Sequence, residues 1–290
     1  MMPNFRFSFL TAKDLPQLRN TFLEAFADYV VPVQLSEEQL KDKVEREGIV
    51  PGFSVGAYVG AEMVGFILTG LGEWQGKSAA YNAGTGVVPM YRGHSLTQQM
   101  YAFLLPKLRE SGVEQCVLEV IQGNMPAVRA YKKIGFELTR SLSCFRATKQ
   151  ELLLEGESPE QVTISGVTLP DWGTYSSFWE VGPTWQNDIN AIKRSKRQAH
   201  TLEARNMQQE VVGYISFFRK NGAVAQLGVA EGWRGKGIGT TLLREAVKQV
   251  EAPAVMFINI EDAAQSILSF MKGRHFRLLL KQYEMLMPIV

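Results

Sequence analysis

Apolar and polar residues alternate from Phe5 to Leu10, as in a strand with one buried face. Thr11-Ala12-Lys13-Asp14 then introduces a helical pattern from Leu15 to about Ala27. Ser36-Glu37-Glu38-Gln39 has the form of a capping box and predicts a second helix reaching about Arg46. Strand-like runs follow at Phe53 to Val59, Met63 to Thr69 and Ser78 to Val88, the first two joined by a Gly60-Ala61-Glu62 turn. A turn and a helical pattern extend to about Glu110, Gln115 to Val120 is an apolar strand, Asn124 opens another helix, and Phe136 to Ala147 supplies a last strand region. The charged segment from Lys149 to Glu160 breaks the pattern. The plan then restarts at Val162, with a helical region from Asp171-Trp172 and a hairpin of Thr201 to Ala204 with Val211 to Phe218. Strands at Ala223 to Val229 and Ala254 to Ile260 and a helix from Ala263 to Lys272 complete it.

This restart is a repeat. Val229-Ala230-Glu231-Gly232-Trp233-Arg234-Gly235-Lys236-Gly237-Ile238-Gly239-Thr240 echoes Val87-Val88-Pro89-Met90-Tyr91-Arg92-Gly93-His94-Ser95-Leu96-Thr97, with Arg234 lying 142 residues after Arg92. Met63-Val64-Gly65-Phe66-Ile67 likewise echoes Val211-Val212-Gly213-Tyr214-Ile215. Each loop follows an apolar run and opens a helical pattern. At such a turn the first N–H groups of the helix lack intrahelical partners and the dipole adds partial positive charge, so the turn is suited to a pyrophosphate. No Lys precedes Thr240-Thr241 as a P-loop requires, and both turns sit too late in their halves for a dinucleotide fingerprint. The spacing that fits is R-x-x-G-x-G, at Arg234, Gly237 and Gly239.

That loop resembles the acyl-CoA pyrophosphate loop of the GNAT superfamily of N-acetyltransferases. Asn124-Met125-Pro126-Ala127-Val128-Arg129-Ala130-Tyr131-Lys132-Lys133-Ile134-Gly135-Phe136 also resembles the GNAT pattern N-x-x-A-x-x-x-Y-x-K-x-G-F, although Asn124, Pro126 and Gly135 are equally the caps of an ordinary amphipathic helix. The resemblance implies an α/β (α+β) fold of two GNAT-type domains, each a mixed, mostly antiparallel twisted sheet flanked by helices. Residues 1–148 are expected to form the catalytic N-terminal domain, 149–161 a linker, and 162–290 a C-terminal GNAT-like domain. Acetyl-CoA is the implied acyl donor and a small-molecule or peptide amine the implied acceptor.

In the first copy the resemblance assigns the thioester and pantetheine to backbone amides around Val87 and Val88. It assigns the phosphates to Arg92, Gly93, His94, Ser95, Leu96 and Thr97, with Asn124 nearby, and the general acid to Tyr131. In the second it assigns cofactor contacts to Val229, Arg234, Gly235, Lys236, Gly237, Ile238, Gly239 and Thr240. Ser95 and Thr97 replace loop glycines, a change without cost if both take helical φ in the first turn. Glu119, twelve positions before Tyr131 in a Leu-Glu-Val context, resembles the proposed base of the ribosomal-protein alanine acetyltransferases, and is equally readable as a surface strand residue. The second copy has Phe270 in the place of the tyrosine and Ile258 in the place of the glutamate, so the first is expected to carry the chemistry. The alternatives are a non-catalytic acyl-CoA sensor or catalysis in the C-terminal domain, its acid supplied by water or by Tyr283.

The 290 residues, 46% of them hydrophobic, suffice for two cores. A net charge of +2 gives no electrostatic argument for nucleic acid or membrane partners. The basic run Lys193-Arg194-Ser195-Lys196-Arg197 has no interleaved aromatics and reads as a solvated face. The two cysteines, Cys116 and Cys144, read as buried thiols, and the three histidines make no metal spacing. No segment has signal-peptide or membrane-span character, so a cytoplasmic location is expected, with a homodimer left open.

Overall fold

The computed structural model describes residues 4–28, 35–156 and 159–289. The chain divides into two compact units, Met1–Thr139 with Tyr283–Val290, and Arg140–Gln282. The first contains β1 (Arg6–Phe9), α1 (Leu15–Ala25), α2 (Glu37–Glu47), β2 (Val55–Val59), β3 (Glu62–Trp74), β4 (Lys77–Val87), α3 (Leu96–Glu110), β5 (Gln115–Ile121) and α4 (Met125–Ile134). The second contains most of β6 (Glu137–Thr148), then β7 (Val162–Val167), α5 (Trp172–Ser176), α6 (Ile189–Arg194), β8 (Ala199–Asn206), β9 (Val211–Phe218), β10 (Ala223–Val229), α7 (Ile238–Gln249), β11 (Ala254–Glu261) and α8 (Gln265–Gly273). The last strand, β12 (Arg277–Pro288), starts in the second unit and finishes in the first.

The units therefore do not end where the charged segment suggested. Each recruits its last strand from the other half of the sequence, and hydrophobic burial explains the choice. Met285 and Met287 lie in the first core with Leu96, Met100, Leu104 and Leu108 of α3, while Phe145, Ala147, Leu152 and Leu154 belong to the second core with Ile238, Leu242 and Ala246 of α7. Leu152 and Leu154 sit inside the expected linker, whose apolar positions are thus partly committed to a core. Residues 157–158 of that linker lie outside the described ones.

Strand order is β1-β2-β3-β4-β5-β12 in the first unit and β6-β11-β10-β9-β8-β7 in the second. The pairs β1–β2, β2–β3, β3–β4, β6–β11, β9–β10, β8–β9 and β7–β8 are antiparallel, and β4–β5 and β10–β11 are parallel. The α2 capping box forms as predicted, Ser36 Oγ accepting from the Gln39 N–H while Gln39 Oε1 accepts from the Ser36 N–H, and Gly48 closes the helix in the left-handed region. Among the described residues, no helix is long and apolar enough to cross a membrane.

Candidate functional site

In each unit the parallel pair parts before its strands end. The β4–β5 register runs from Ala79↔Gln115 to Asn82↔Leu118, yet β4 continues to Val87, and β10–β11 pairs only at Ala223↔Met256 and Val224↔Phe257 although β10 continues to Val229. The same irregularity precedes both partings. Opposite β3, the β4 register skips Ala83, and opposite β9, the β10 register skips Ala225, one bulge position in each copy at the repeat spacing of 142. An extra residue bends a strand and increases its local twist, so β4 and β10 swing away from their parallel neighbours and leave a fork.

Alternation along the antiparallel pairs decides which amides face that fork. Val88 N–H donates to Val64 O (2.9 Å) and Ala230 N–H to Val212 O (3.0 Å). Their preceding residues, Val87 and Val229, form non-hydrogen-bonded pairs with Gly65 and Gly213, so their own amides point away from β3 and β9. Val87 and Val229 thus suit a ligand lying in the fork. Val88 does not, its N–H being spent within the sheet.

The loops that follow are geometrically alike. Gly93 (φ +83°) and Ser95 (φ +55°) are left-handed in the first, Gly235 (φ +76°) and Gly237 (φ +82°) in the second, and Ser95 and Gly237 are the N-caps of α3 and α7. Ser95 therefore does not take the helical φ that would have made the substitution free of cost, and carries a left-handed penalty of about 1–2 kcal/mol. Neither helix has a side-chain cap, which leaves the N–H groups of its first turn to an external acceptor. Leu96, Ile238 and Thr240 have buried side chains, Thr97 is half-buried, and Lys236 extends over the Trp233 ring (4.7 Å). His94 lies beside the Phe5 ring, and its carbonyl accepts from Gln99 Nε2 (2.8 Å).

The two arginines brace these loops. Arg92 donates through Nε to Val87 O (3.2 Å) and through Nη2 to Ala25 O (2.8 Å), and Arg234 donates in the same way to Val229 O (3.0 Å) and Phe178 O (2.9 Å). Arg92 also pairs with Asp28 at 2.6 Å, and this hydrogen bond holds the Asp28 carboxyl below its usual range. Both guanidinium groups thus tie the loop to the strand end and to the segment beside it. Asn124 caps α4, its Oδ1 accepting from the Ala127 N–H (3.2 Å).

Chemistry-bearing side chains converge where β4 and β5 part. Asn82, the last paired residue of β4, places the two N–H donors of Nδ2 within reach of three acceptors, Thr85 Oγ1 (2.8 Å), Tyr101 Oη (2.8 Å) and Tyr131 Oη (3.4 Å), while its Oδ1 accepts from Gly84 N–H and Thr85 Oγ1. Tyr131 is buried, 8% exposed, with its ring edge-on to Tyr101 and Phe136. Burial, reinforced by the neighbouring Tyr131, pushes the Tyr101 phenol well above its ordinary value. Glu119 is half-buried, and its Oε2 accepts a 2.5 Å hydrogen bond from the Tyr81 hydroxyl. Burial, then the Glu119 and Glu47 carboxylates, raise Tyr81 far above the usual phenol range, with Arg46 opposing. Asn82, Tyr81 and Tyr101 were not singled out in the sequence; the one signal was Tyr81-Asn82, a polar-tipped pair inside an apolar strand.

The second fork opens into a cavity of about 350 Å³ lined by the loop residues Trp233 to Gly235 and Gly237 to Thr240, by Leu227 to Val229 of β10, by Asn259 to Glu261 of β11 and by Phe270 of α8. Trp179 lines it too and donates to Tyr214 Oη (2.6 Å), which donates onward to Gln226 Oε1 (2.8 Å). Helix geometry corrects the equivalence drawn from sequence. Phe136 N–H closes α4 on Tyr131 O, and Phe276 N–H closes α8 on Met271 O, both at 3.0 Å, so Met271 and not Phe270 is the counterpart of Tyr131. Met271 is fully buried in the second core. Phe270, one residue earlier, faces the cavity against Gly239, where an added Cβ would lie 3.3 Å from its ring. A register slip of one arose because His275, with φ +61°, stands where the first copy has Gly135. Tyr283, the alternative acid for this fork, belongs to the first unit and packs on its core. Among the described residues, no cluster of His, Cys, Asp or Glu is placed to hold a metal.

Two copies of a bulged, forked sheet, each with an uncapped helix after a left-handed loop, define a tandem acyltransferase architecture. The chain belongs to the Acetyltransferase (GNAT) family, whose model matches residues 15–136 and 170–276. A GCN5-related N-acetyltransferase from Sphaerobacter thermophilus is similar in fold, with TM-score 0.74 and 18% identity over 100% of this chain and 97% of that one. A tandem GNAT protein from the clavulanic acid biosynthesis pathway is similar at TM-score 0.74 and 15% identity, over 99% of both chains. At these identities the likeness is one of fold. Comparison with curated proteins gives no match.

Proposed function

We propose that this protein transfers the acetyl group of acetyl-CoA to a primary amine by direct attack in a ternary complex, and that the first unit carries the chemistry. The observation that supports this reading is the Tyr131 hydroxyl, hydrogen-bonded to Asn82 at the point where β4 and β5 part. In such a reaction the amine nitrogen bonds to the thioester carbon, the C–S bond breaks, and the departing thiolate takes a proton. Tyr131 supplies that proton, and the Asn82 amide facing its oxygen stabilises the charge left behind. Glu119 takes the proton released by the amine. The amide of Val87 holds the thioester side, and the loop from Arg92 to Thr97 with the first turn of α3 holds the pyrophosphate, Arg92 acting through loop shape.

The second unit has the loop with both left-handed glycines and the cavity, but Met271 cannot donate a proton. We read it as an acyl-CoA-binding unit without turnover. Calorimetry with acetyl-CoA on the intact chain, on Ser95→Glu and on Gly237→Glu counts the sites and assigns them. Tyr131→Phe then removes the acid: a general acid contributes roughly 10²–10⁴-fold in rate, so kcat over a panel of primary amines falls by that factor while acetyl-CoA still binds. Undiminished turnover in Tyr131→Phe, or loss of all binding in Gly237→Glu alone, sinks the assignment to the first unit.

A further inference from the structure

Tyr81 and Asn82 are the last two residues of β4 still paired with β5, and successive strand residues point to opposite faces. Asn82 reaches Tyr131 and Tyr101, which come from α4 and α3, on one face. Tyr81 reaches Glu119 and lies within the electrostatic reach of Glu47 and Arg46 of α2 on the other. The fork therefore has an acid-bearing side and a carboxylate-bearing side, each organised by one residue of a consecutive pair.

Lys43 pairs with Glu47 through both carboxylate oxygens, at 2.7 and 2.8 Å, and so neutralises the buried Glu47. Burial lowers the Arg46 guanidinium from its usual value, with Glu47 and Tyr81 opposing. Desolvation alone pushes a half-buried carboxyl toward its neutral form. The Tyr81 hydroxyl, which donates to Glu119 Oε2 at 2.5 Å, opposes this, because a short hydrogen bond to an ionised acceptor is of the strong, charge-assisted kind.

Resting on the function proposed above, we infer that Tyr81 is a positioning residue whose hydroxyl holds the Glu119 carboxylate ionised and aimed at the fork, so that the acceptor is taken as its ammonium ion. Glu119 then attracts the cation, receives its proton, and leaves a neutral amine beside the thioester carbon. A merely structural Tyr81 would need only its ring, which is wholly enclosed in the unit. The hydroxyl is what ties it to chemistry.

The test is an NMR titration of ¹³Cδ-labelled glutamate, with Glu119 assigned by Glu119→Gln, in the wild-type chain and in Tyr81→Phe. A hydrogen bond to a charged group corresponds to roughly one to two pK units, so the Glu119 midpoint in Tyr81→Phe is expected to rise by at least about one unit. The acidic limb of kcat/KM for the amine panel should move up with it, about tenfold in rate on that limb. A midpoint that stays within about 0.2 unit overturns the inference. If Tyr81→Phe fails to fold, fluorotyrosine at position 81 keeps the ring and strengthens the donor. The Glu119 midpoint must then fall, and an unchanged value again overturns the inference. The titration needs neither acyl donor nor amine, so its failure is separable from a failure of the Tyr131 assignment.

Discussion

Replacing Met285 by alanine should loosen the unit that holds Tyr131, although the two residues are far apart in sequence. Met285 is 0% exposed and sits in the first core beside Met287, both contributed by the last strand. Removing its side chain beyond Cβ forfeits the transfer free energy of the buried group and leaves a cavity beside α3, which in cores costs about 2–5 kcal/mol for Met→Ala. That corresponds to an opening equilibrium raised by a factor of roughly 30 to several thousand. Hydrogen exchange read by mass spectrometry resolves where the loss falls. Peptides covering α3 and β5 should lose protection by this factor, while those covering β9 and α7 keep it. Met271→Ala, at the fully buried counterpart of Tyr131 in the second core, should give the reverse pattern. Faster exchange confined to β9 and α7 in Met285→Ala would refute the reasoning, because it would place the last strand in the wrong core.

Other expectations follow from single positions. Gly222→Ala should cost at least about 2 kcal/mol in urea unfolding, because φ is +71° and the new Cβ would meet Ala254 O at 2.1 Å. Ser95→Gly relieves a left-handed non-glycine residue at about 1–2 kcal/mol but adds about 0.5–1 of unfolded-chain entropy, so a net gain of up to about 1.5 kcal/mol is expected, with tighter acetyl-CoA binding by calorimetry. Burial pushes the Cys116 thiol from 9.0 up to about 12. Its raised folded value means that the unfolded chain ionises first, so stability is intact below about pH 9 and declines from there toward pH 12. Between pH 8 and pH 10 the native chain should lose about 1.4 kcal/mol more than Cys116→Ala, measured by urea titration at the two pH values.

Local periodicity was enough to place α1, α2, β4, β5 and α4 within a residue or two, because each has a cap or a clean apolar run. The exchange of last strands was not legible, since Phe136 to Ala147 is equally apolar whichever sheet it joins and nothing in a strand names its neighbour. Tyr131 was singled out as a candidate through its motif, and Glu119 through its context. Asn82 and Tyr81 were not, because their roles depend on a bulge that an alternating pattern conceals. The bracing role of Arg92 and Arg234 was missed for a related reason: a loop arginine beside a glycine turn suggests a phosphate partner, whereas its carbonyl partners lie in α1 and in the residues after α5.

The exchanged last strand also sets an order of completion for a chain made from its N-terminus. The second unit is one continuous stretch, Arg140–Gln282, and all its core residues are available once that stretch has emerged. The first unit is discontinuous, and Met285, which fills its core, is synthesised 150 residues after Gly135, which lies against Met287. The later-encoded half is therefore the first that can close. The half encoded first stays open until Met285 has emerged as well, with apolar α3 and β5 surface uncovered until then. A nascent chain of which the residues up to Gln282, but not Met285, have left the ribosome would hold a complete second unit and an incomplete first one, so that the unit proposed to bind without turnover closes before the unit proposed to react.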